Sequence, residues 1–259
     1  MSIGISTASF YPLETEQAIS LLAEKGITAT EIFVNAPREL KPSFADYILD
    51  IIKGTPLKIT AIHPMQSFAE PYMIFSEYER RFEDSKNDFC RYFEMAAALG
   101  AKYINLHGDK PTGKLSTEEY CERFMILADI GKPYGVRLLQ ENVNGFRSAD
   151  PDFLLEMVNI LGDDISFTLD IKQSVRAGYT VPEILDAMNY QVSHVHISDH
   201  SPAGDCLLPT NGNFDFKALM GDLEAHGYKG DYLIEVYQNA YKEFDEIFKS
   251  HKNLINTLK

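Results

Sequence analysis

The sequence predicts a (β/α)₈ TIM barrel, an α/β fold formed by residues 1–259 as a single domain. The length of 259 residues matches the roughly 250 residues of one such barrel. Eight short segments rich in Ile, Val, Leu, Phe and Tyr alternate with longer amphipathic stretches. The sequence contains no linker-like segment between them, and neither a GxGxxG motif nor a P-loop favours an open nucleotide-binding sheet.

The predicted elements recur in a fixed order along the chain. The strands are expected at residues 3–9, 28–34, 57–63, 102–107, 136–141, 165–170, 192–197 and 231–236. Residues 76–99 illustrate the helical half, because Phe82, Phe89 and Phe93 fall near one face of a 3.6-residue period. A glycine separates helix from strand five times, at Gly26, Gly100, Gly135, Gly162 and Gly227. Glycine is typical of the left-handed residue that ends a helix.

The composition limits the classes of partner. A formal net charge of −14 repels nucleic acids and anionic membrane surfaces, so we expect neither as a partner. Three widely spaced cysteines without a CxxC pair indicate neither a disulfide framework nor a thiolate zinc site. The sequence shows no targeting segment and no run of 18 apolar residues. These observations predict a cytoplasmic protein.

Polar residues that bind metals or protons lie at the ends of the predicted strands. Strands three to eight end at His63, His107, Glu141, Asp170, His196 and Glu235, in that order. Glu31 lies slightly earlier in strand two. A single polar residue at a strand end is explained by the exposure of that end to solvent. Six in succession favour a site, because the C-terminal strand ends of a barrel converge on one mouth.

Glu141, Asp170, His196 and Glu235 form a suitable ligand set for one divalent metal ion. Carboxylates provide anionic oxygen, neutral imidazole provides nitrogen, and open coordination positions remain for substrate. Three carboxylates with one imidazole are compatible with Mn²⁺, Zn²⁺, Mg²⁺ or Co²⁺. The metal would also remove the repulsion between these carboxylates in the barrel mouth.

Several motifs resemble those of the xylose isomerase-like barrels, which include endonuclease IV, ketose 3-epimerases related to tagatose epimerase, and inosose isomerases and dehydratases. The resemblance spans nearly the whole chain, through segments 138–142, 168–170, 176–178, 194–199, 212–216 and 233–236. It implies that Glu141, Asp170, His196 and Glu235 hold the metal. It also implies that Glu141 and Glu235 are catalytic, one removing a proton next to a carbonyl and the other returning it.

The chain departs from this family pattern after strand six and strand seven. Gln173 stands where endonuclease IV and the epimerases carry a histidine, and segment 201–211 lacks the Asp-x-His pair of endonuclease IV. A zinc-dependent abasic-site endonuclease is therefore a less favoured alternative. Substrate contacts are predicted for His63, His107, Lys172, Gln173 and Asp199. For His63 and His107, a second metal site or a supporting role stays open.

Two further features are His194, in strand seven, and segment 212–214, which follows that strand. His194 is expected to point out of the barrel towards the helices as a hydrogen-bonded structural residue. Segment 212–214 stands where many barrels bind phosphate, although no nearby Lys or Arg cluster supports such a site.

Together, these features predict a metal-dependent isomerase or epimerase of carbohydrate metabolism that acts through an enediolate. The expected substrate is a small sugar, a sugar phosphate or an inositol-derived ketone. An inosose-type dehydratase, which begins with the same proton removal, and a catalytically silent sugar-binding barrel remain alternatives. The sequence leaves a homo-oligomer open.

Overall fold

The computed structural model describes residues 2–64 and 68–258, which form eight parallel strands in a nearly closed barrel with surrounding helices. The barrel strands are β1 Ile3–Ile5, β2 Ala29–Phe33, β3 Lys58–His63, β4 Tyr103–Leu106, β5 Arg137–Glu141, β6 Phe167–Asp170, β7 Val192–Ile197 and β10 Tyr232–Ile234. Their order is β1-β10-β7-β6-β5-β4-β3-β2, with every pairing parallel. The predicted TIM barrel is confirmed.

Ten α-helices connect or cover these strands in the described part of the chain. They are α1 Thr15–Glu24, α2 Pro42–Ile52, α3 Glu70–Met73, α4 Glu79–Leu99, α5 Thr117–Gly131, α6 Pro151–Leu161, α7 Ile171–Ala177, α8 Val181–Ala187, α9 Phe216–Ala225 and α10 Phe244–Leu258. The predicted face of α4 is buried, including Phe82, Phe89 and Phe93. Gly100 ends this helix in the left-handed conformation at φ 74°.

Strands β1 and β2 close the barrel through close packing and side-chain hydrogen bonds. Thr30 Oγ1 donates to the Ile5 carbonyl oxygen at 2.6 Å, and the Phe33 amide donates to Thr7 Oγ1 at 2.8 Å. A Cβ atom at Gly4 would overlap the Ala29 carbonyl oxygen. The absence of a side chain at position 4 therefore permits the close approach of these two strands.

Two details differ from the sequence prediction. The first strand ends at Ile5, because the Ser6 side chain caps a 3₁₀ helix over Thr7–Phe10. After β7, a two-stranded antiparallel hairpin forms from β8 Asp199–Ser201 and β9 Gly204–Leu207. Within residues 2–64 and 68–258, no helix combines the length and apolar character that crossing a membrane requires.

Candidate metal centre and cavity

The four predicted metal ligands converge at the C-terminal mouth of the barrel. Glu141, Asp170 and His196 lie at or near the ends of β5, β6 and β7, and Glu235 immediately follows β10. Side chains alternate across a strand, so each of these positions faces the barrel interior while its neighbours face the helices. One ligand atom from each residue lies within 4.8 Å of those of the other three.

His196 Nδ1 lies at the centre of three carboxylates. It is 3.3 Å from Glu141 Oε1, 3.5 Å from Asp170 Oδ2 and 3.7 Å from Glu235 Oε2. Among the described residues, buried Glu235 Oε2 has no hydrogen-bond partner. An unpartnered buried carboxylate oxygen is costly, and a divalent ion among these donors would satisfy it. The residues therefore fit a divalent metal.

The ionisable groups of this cluster shift one another's pKa values. Burial alone would lower the pKa of His196, but Glu235 and Glu31 raise that pKa well above its usual range. Burial would raise the pKa of Glu141, but hydrogen bonds and charge from His107, with further bonds from His196 and His63, lower it well below its usual value. Glu141 is therefore a carboxylate at neutral pH.

Glu31 supports His196 from inside the barrel. Its Oε2 accepts hydrogen bonds from His196 Nε2 at 3.2 Å, His194 Nε2 at 3.0 Å and Asn105 Nδ2 at 2.5 Å. Asn105 in turn accepts a bond from Thr168 Oγ1 at 2.6 Å. A carboxylate behind an imidazole directs its other ring nitrogen, here Nδ1, towards the other three candidate ligands.

The prediction that His194 points out of the barrel is wrong. Its imidazole contacts Glu31 inside the barrel, as that of His196 does. The physical reason is the two-residue period of a β-strand, which places residues 194 and 196 on the same face.

His63 and His107 form a second group of ligand-type side chains around Glu141. Their Nε2 atoms lie 2.9 Å apart, and they are 3.3 and 3.2 Å from Glu141 Oε2. Burial would lower the pKa of His63, but Glu141 raises it to about 9, whereas burial lowers the pKa of His107. At neutral pH, His63 is therefore the better proton donor of the two.

Lys172, Gln173 and Asp199 lie in three different environments. Lys172 Nζ is buried against Asp170 Oδ2 and Glu235 Oε1. Gln173 faces the cavity, and its Oε1 accepts a hydrogen bond from the Asn144 amide at 3.1 Å. Asp199 is buried and accepts bonds from the amides of His200, Gly212 and Phe214. Asp199 thus holds the loop after β7, and two amides of segment 212–214 are directed at it.

A cavity of about 370 Å³ opens above these groups. Its lining comprises Thr7, Ala8, Tyr11, Leu13, Thr15, Phe33, Asn35, His63, His107, Glu141, Gln173, Glu235, Val236, Tyr237 and Gln238. None of the described lining residues is a lysine or an arginine. Sequence reasoning did not include Thr7, Asn35 or Gln238 in the site, although each closely follows a barrel strand at the same mouth.

The comparison with protein families agrees with this architecture. A family model described as xylose isomerase-like TIM barrel matches residues 19–254. The match covers most of the chain. This protein therefore belongs to the xylose isomerase-like TIM barrel family.

Individual relatives are distant but align over most of their length. An inosose dehydratase from Clostridium botulinum is 20% identical over 259 residues, covering 86% of this chain and 82% of that relative. A solved D-tagatose 3-epimerase-like protein has a TM-score of 0.78 and 22% identity, covering 100% and 97% of the two chains. The IolI protein, solved with a zinc atom, has a TM-score of 0.79 and 19% identity, covering 100% and 98%. The structural likenesses establish the shared fold.

Proposed function

We propose that this protein is a divalent-metal-dependent isomerase or epimerase that moves a proton at a carbon next to a carbonyl group. The observation that supports this most is the position of Glu141 and Glu235. Both carboxylates line the same cavity, and each lies within 3.7 Å of His196 Nδ1. A substrate above the four candidate ligands would therefore lie against two separate proton-transfer groups.

Glu141, Asp170, His196 and Glu235 are the proposed ligands. A divalent ion bound there supplies Lewis acidity towards a carbonyl oxygen and stabilises the negative charge that develops when the neighbouring carbon loses a proton. Glu31 holds the His196 ring, and the Gln173 amide holds Asp170 through a 3.1 Å hydrogen bond to Oδ1. These contacts keep two ligands oriented before substrate arrives.

Glu141 and Glu235 are the proposed catalytic residues. Burial raises the pKa of Glu235, but His196 and Lys172 overcome this effect and lower it, so both carboxylates are ionised and able to accept a proton. Glu235 would take the proton from carbon, and Glu141 would return a proton, received from the protonated His63 at 3.3 Å, to the opposite face or to the neighbouring carbon, after which exchange with solvent would restore both groups. The first outcome is epimerisation, and the second is aldose–ketose interconversion.

The cavity supports an uncharged polyhydroxy ketone or aldose as substrate. Its volume of about 370 Å³ suits a small molecule, and His63, His107 and Gln173 offer polar contacts for hydroxyl groups. A phosphate group would meet no lysine or arginine among the described lining residues. We therefore favour a free sugar or an inositol-derived ketone over a sugar phosphate.

Dehydration of an inositol-derived ketone is the second candidate. Five of the relatives are inosose dehydratases, each covering 86% of this chain at 19 to 21% identity. After proton removal, a lyase needs an acid for the departing hydroxyl group, and protonated His63 next to Glu141 could provide it. The two candidates differ in product, because only dehydration releases water.

The test is to incubate the metal-loaded protein with a panel of ketoses and inositol-derived ketones in D₂O. We expect deuterium at carbon in one substrate, with Glu141→Gln lowering the exchange rate at least about 100-fold, because the amide cannot accept the proton. Glu235→Gln should give a similar loss, and Glu156→Gln, at an exposed glutamate, is the control. Exchange that survives Glu141→Gln would contradict the proposed role. Mass spectrometry of the products separates epimerisation from dehydration.

A further inference from the structure

Lys172 places a buried positive charge inside the candidate metal centre. Its side chain is 1% exposed, and its ammonium group contacts Asp170 Oδ2 and lies 2.8 Å from Glu235 Oε1. Lysine is almost never fully buried unless it is paired. Here both partners are candidate metal ligands, so the ammonium group is part of the electrostatics of the centre.

The start of α7 explains why Lys172 faces the barrel mouth. Asp170 is the N-cap of this helix, and its Oδ1 accepts the Gln173 amide. The first turn therefore begins directly at the strand end and directs Lys172 back over β6. Asp170 is left with Oδ2 for other partners, and this atom lies against both Lys172 Nζ and His196 Nδ1.

The two carboxylate oxygens of Glu235 have different surroundings. Oε1 receives the Lys172 ammonium, whereas buried Oε2 faces His196 and has no hydrogen-bond partner among the described residues. A divalent ion and Lys172 could therefore use different oxygens of Glu235. They would have to share Oδ2 of Asp170, because Oδ1 is engaged with α7.

We propose that Lys172 is a built-in cation that balances the carboxylates when no metal is bound and thereby weakens the binding of a divalent ion. This inference rests on the metal centre of the proposed function. The three candidate carboxylates carry three negative charges, and the ammonium group cancels one of them. It repels an incoming dication next to the buried Asp170 and occupies an oxygen that the dication needs. Lys172 thus competes with the metal for Asp170 and Glu235 and keeps the metal exchangeable.

The alternative role for Lys172 is simply to orient its two partners for the metal. The two roles predict opposite changes in metal affinity. If the ammonium group only orients Asp170 and Glu235, removing it weakens metal binding. If it competes with the metal, removing it strengthens metal binding and at the same time destabilises the metal-free protein, since buried carboxylates lose their counter-charge.

The experiment compares the wild type with Lys172→Met by calorimetric titration with Mn²⁺, together with thermal unfolding of the metal-free proteins. We expect Lys172→Met to bind Mn²⁺ at least about tenfold more tightly and to have a lower melting temperature without metal. Lys132→Met is the matched control. Lys132 forms an exposed ion pair with Asp129, so this variant removes the same charge at the surface. Lys132 directly follows α5 and precedes β5.

A second variant, Lys172→Gln, keeps the measurement possible if the methionine variant does not fold. Equal or weaker Mn²⁺ binding by the folded variant, alongside binding by the wild type, would overturn the role of Lys172 and leave the proposed enzyme function standing. Absence of Mn²⁺ and Zn²⁺ binding in the wild type and both variants would overturn the metal-dependent function and this inference with it. Tight metal binding by the variant without deuterium exchange into any substrate would overturn only the proposed function.

Discussion

Glu31 is the residue that connects the barrel interior to the candidate metal centre. It is fully buried, and His196 and His194 overcome the effect of burial to lower its pKa well below the usual value. The resulting carboxylate accepts a hydrogen bond from His196 Nε2, which leaves Nδ1 directed at Glu141, Asp170 and Glu235. Its role cannot be read locally from the sequence, because Glu31 and His196 are 165 positions apart.

Replacing Glu31 with glutamine should weaken metal binding by about 10- to 100-fold. The neutral amide has nearly the same volume but is a weaker acceptor, so the His196 ring is held less firmly and its Nδ1 is less basic. Calorimetric titration with Mn²⁺ measures the change, with Glu156→Gln as an exposed control. An unchanged dissociation constant for Glu31→Gln would show that this carboxylate does not orient the ligand.

At the scale of elements, the contact between β1 and β2 closes the barrel beside the cavity. Gly4→Ala should lower the free energy of unfolding by about 1–3 kcal/mol, because the new Cβ would overlap the Ala29 carbonyl oxygen and crowd Leu233. Denaturant unfolding measures this change. Gly221→Ala in α9 is the matched control, since no atom lies within 4 Å of its added Cβ and alanine favours a helix. Equal stability of wild type and Gly4→Ala would refute the close strand contact.

Helix α3 connects to the end of β4 through Glu70. This buried side chain accepts a hydrogen bond from the Gly108 amide at 2.6 Å, and burial raises its pKa to about 8. The folded protein therefore holds one more proton than the unfolded chain between about pH 4.5 and 8. The contribution of this group to the free energy of unfolding is complete below pH 4.5, decreases as the pH rises towards 8 and is lost above 8.

Glu70→Gln should remove this pH dependence. Relative to the wild type, the variant should gain up to about 1.4 kcal/mol of unfolding free energy per pH unit between pH 5 and 8. Denaturant unfolding of both proteins at several pH values gives the difference, which cancels the contributions of other titrating groups. A constant difference across this range would mean that Glu70 is ionised in the folded protein throughout.

The eight strands could be predicted because each is a short apolar run bounded by a helix and a turn. Convergence of Glu141, Asp170, His196 and Glu235 followed from parallel strand ends together with the family resemblance. Details that depend on local caps or distant partners could not be predicted. Ser6 ends β1 early by capping a 3₁₀ helix, and the Asp170 cap turns Lys172 into the centre. His194 shares the interior face with His196, because residues two apart on a strand point the same way, so the expectation that it faces the helices is wrong.

At the scale of the whole molecule, net charge and cavity lining support the proposed class of substrate. The net charge of −14 opposes a nucleic acid, and the cavity presents carboxylates, imidazoles and neutral polar groups in the described part of its lining. The described wall also includes apolar and aromatic side chains, among them Tyr11, Phe33 and Tyr237. An acidic barrel whose described cavity lining holds no lysine or arginine supports the proposal of an uncharged polyhydroxy substrate over a polyanion.

The central claim is that four strand-end residues form one mononuclear metal centre. Anomalous diffraction from crystals grown with Mn²⁺ tests it most directly, because the signal locates the ion independently of activity. We predict one peak, with Glu141, Asp170, His196 Nδ1 and Glu235 as its ligands. A peak held by His63 and His107 alone, or no peak at the barrel mouth, would contradict the claim.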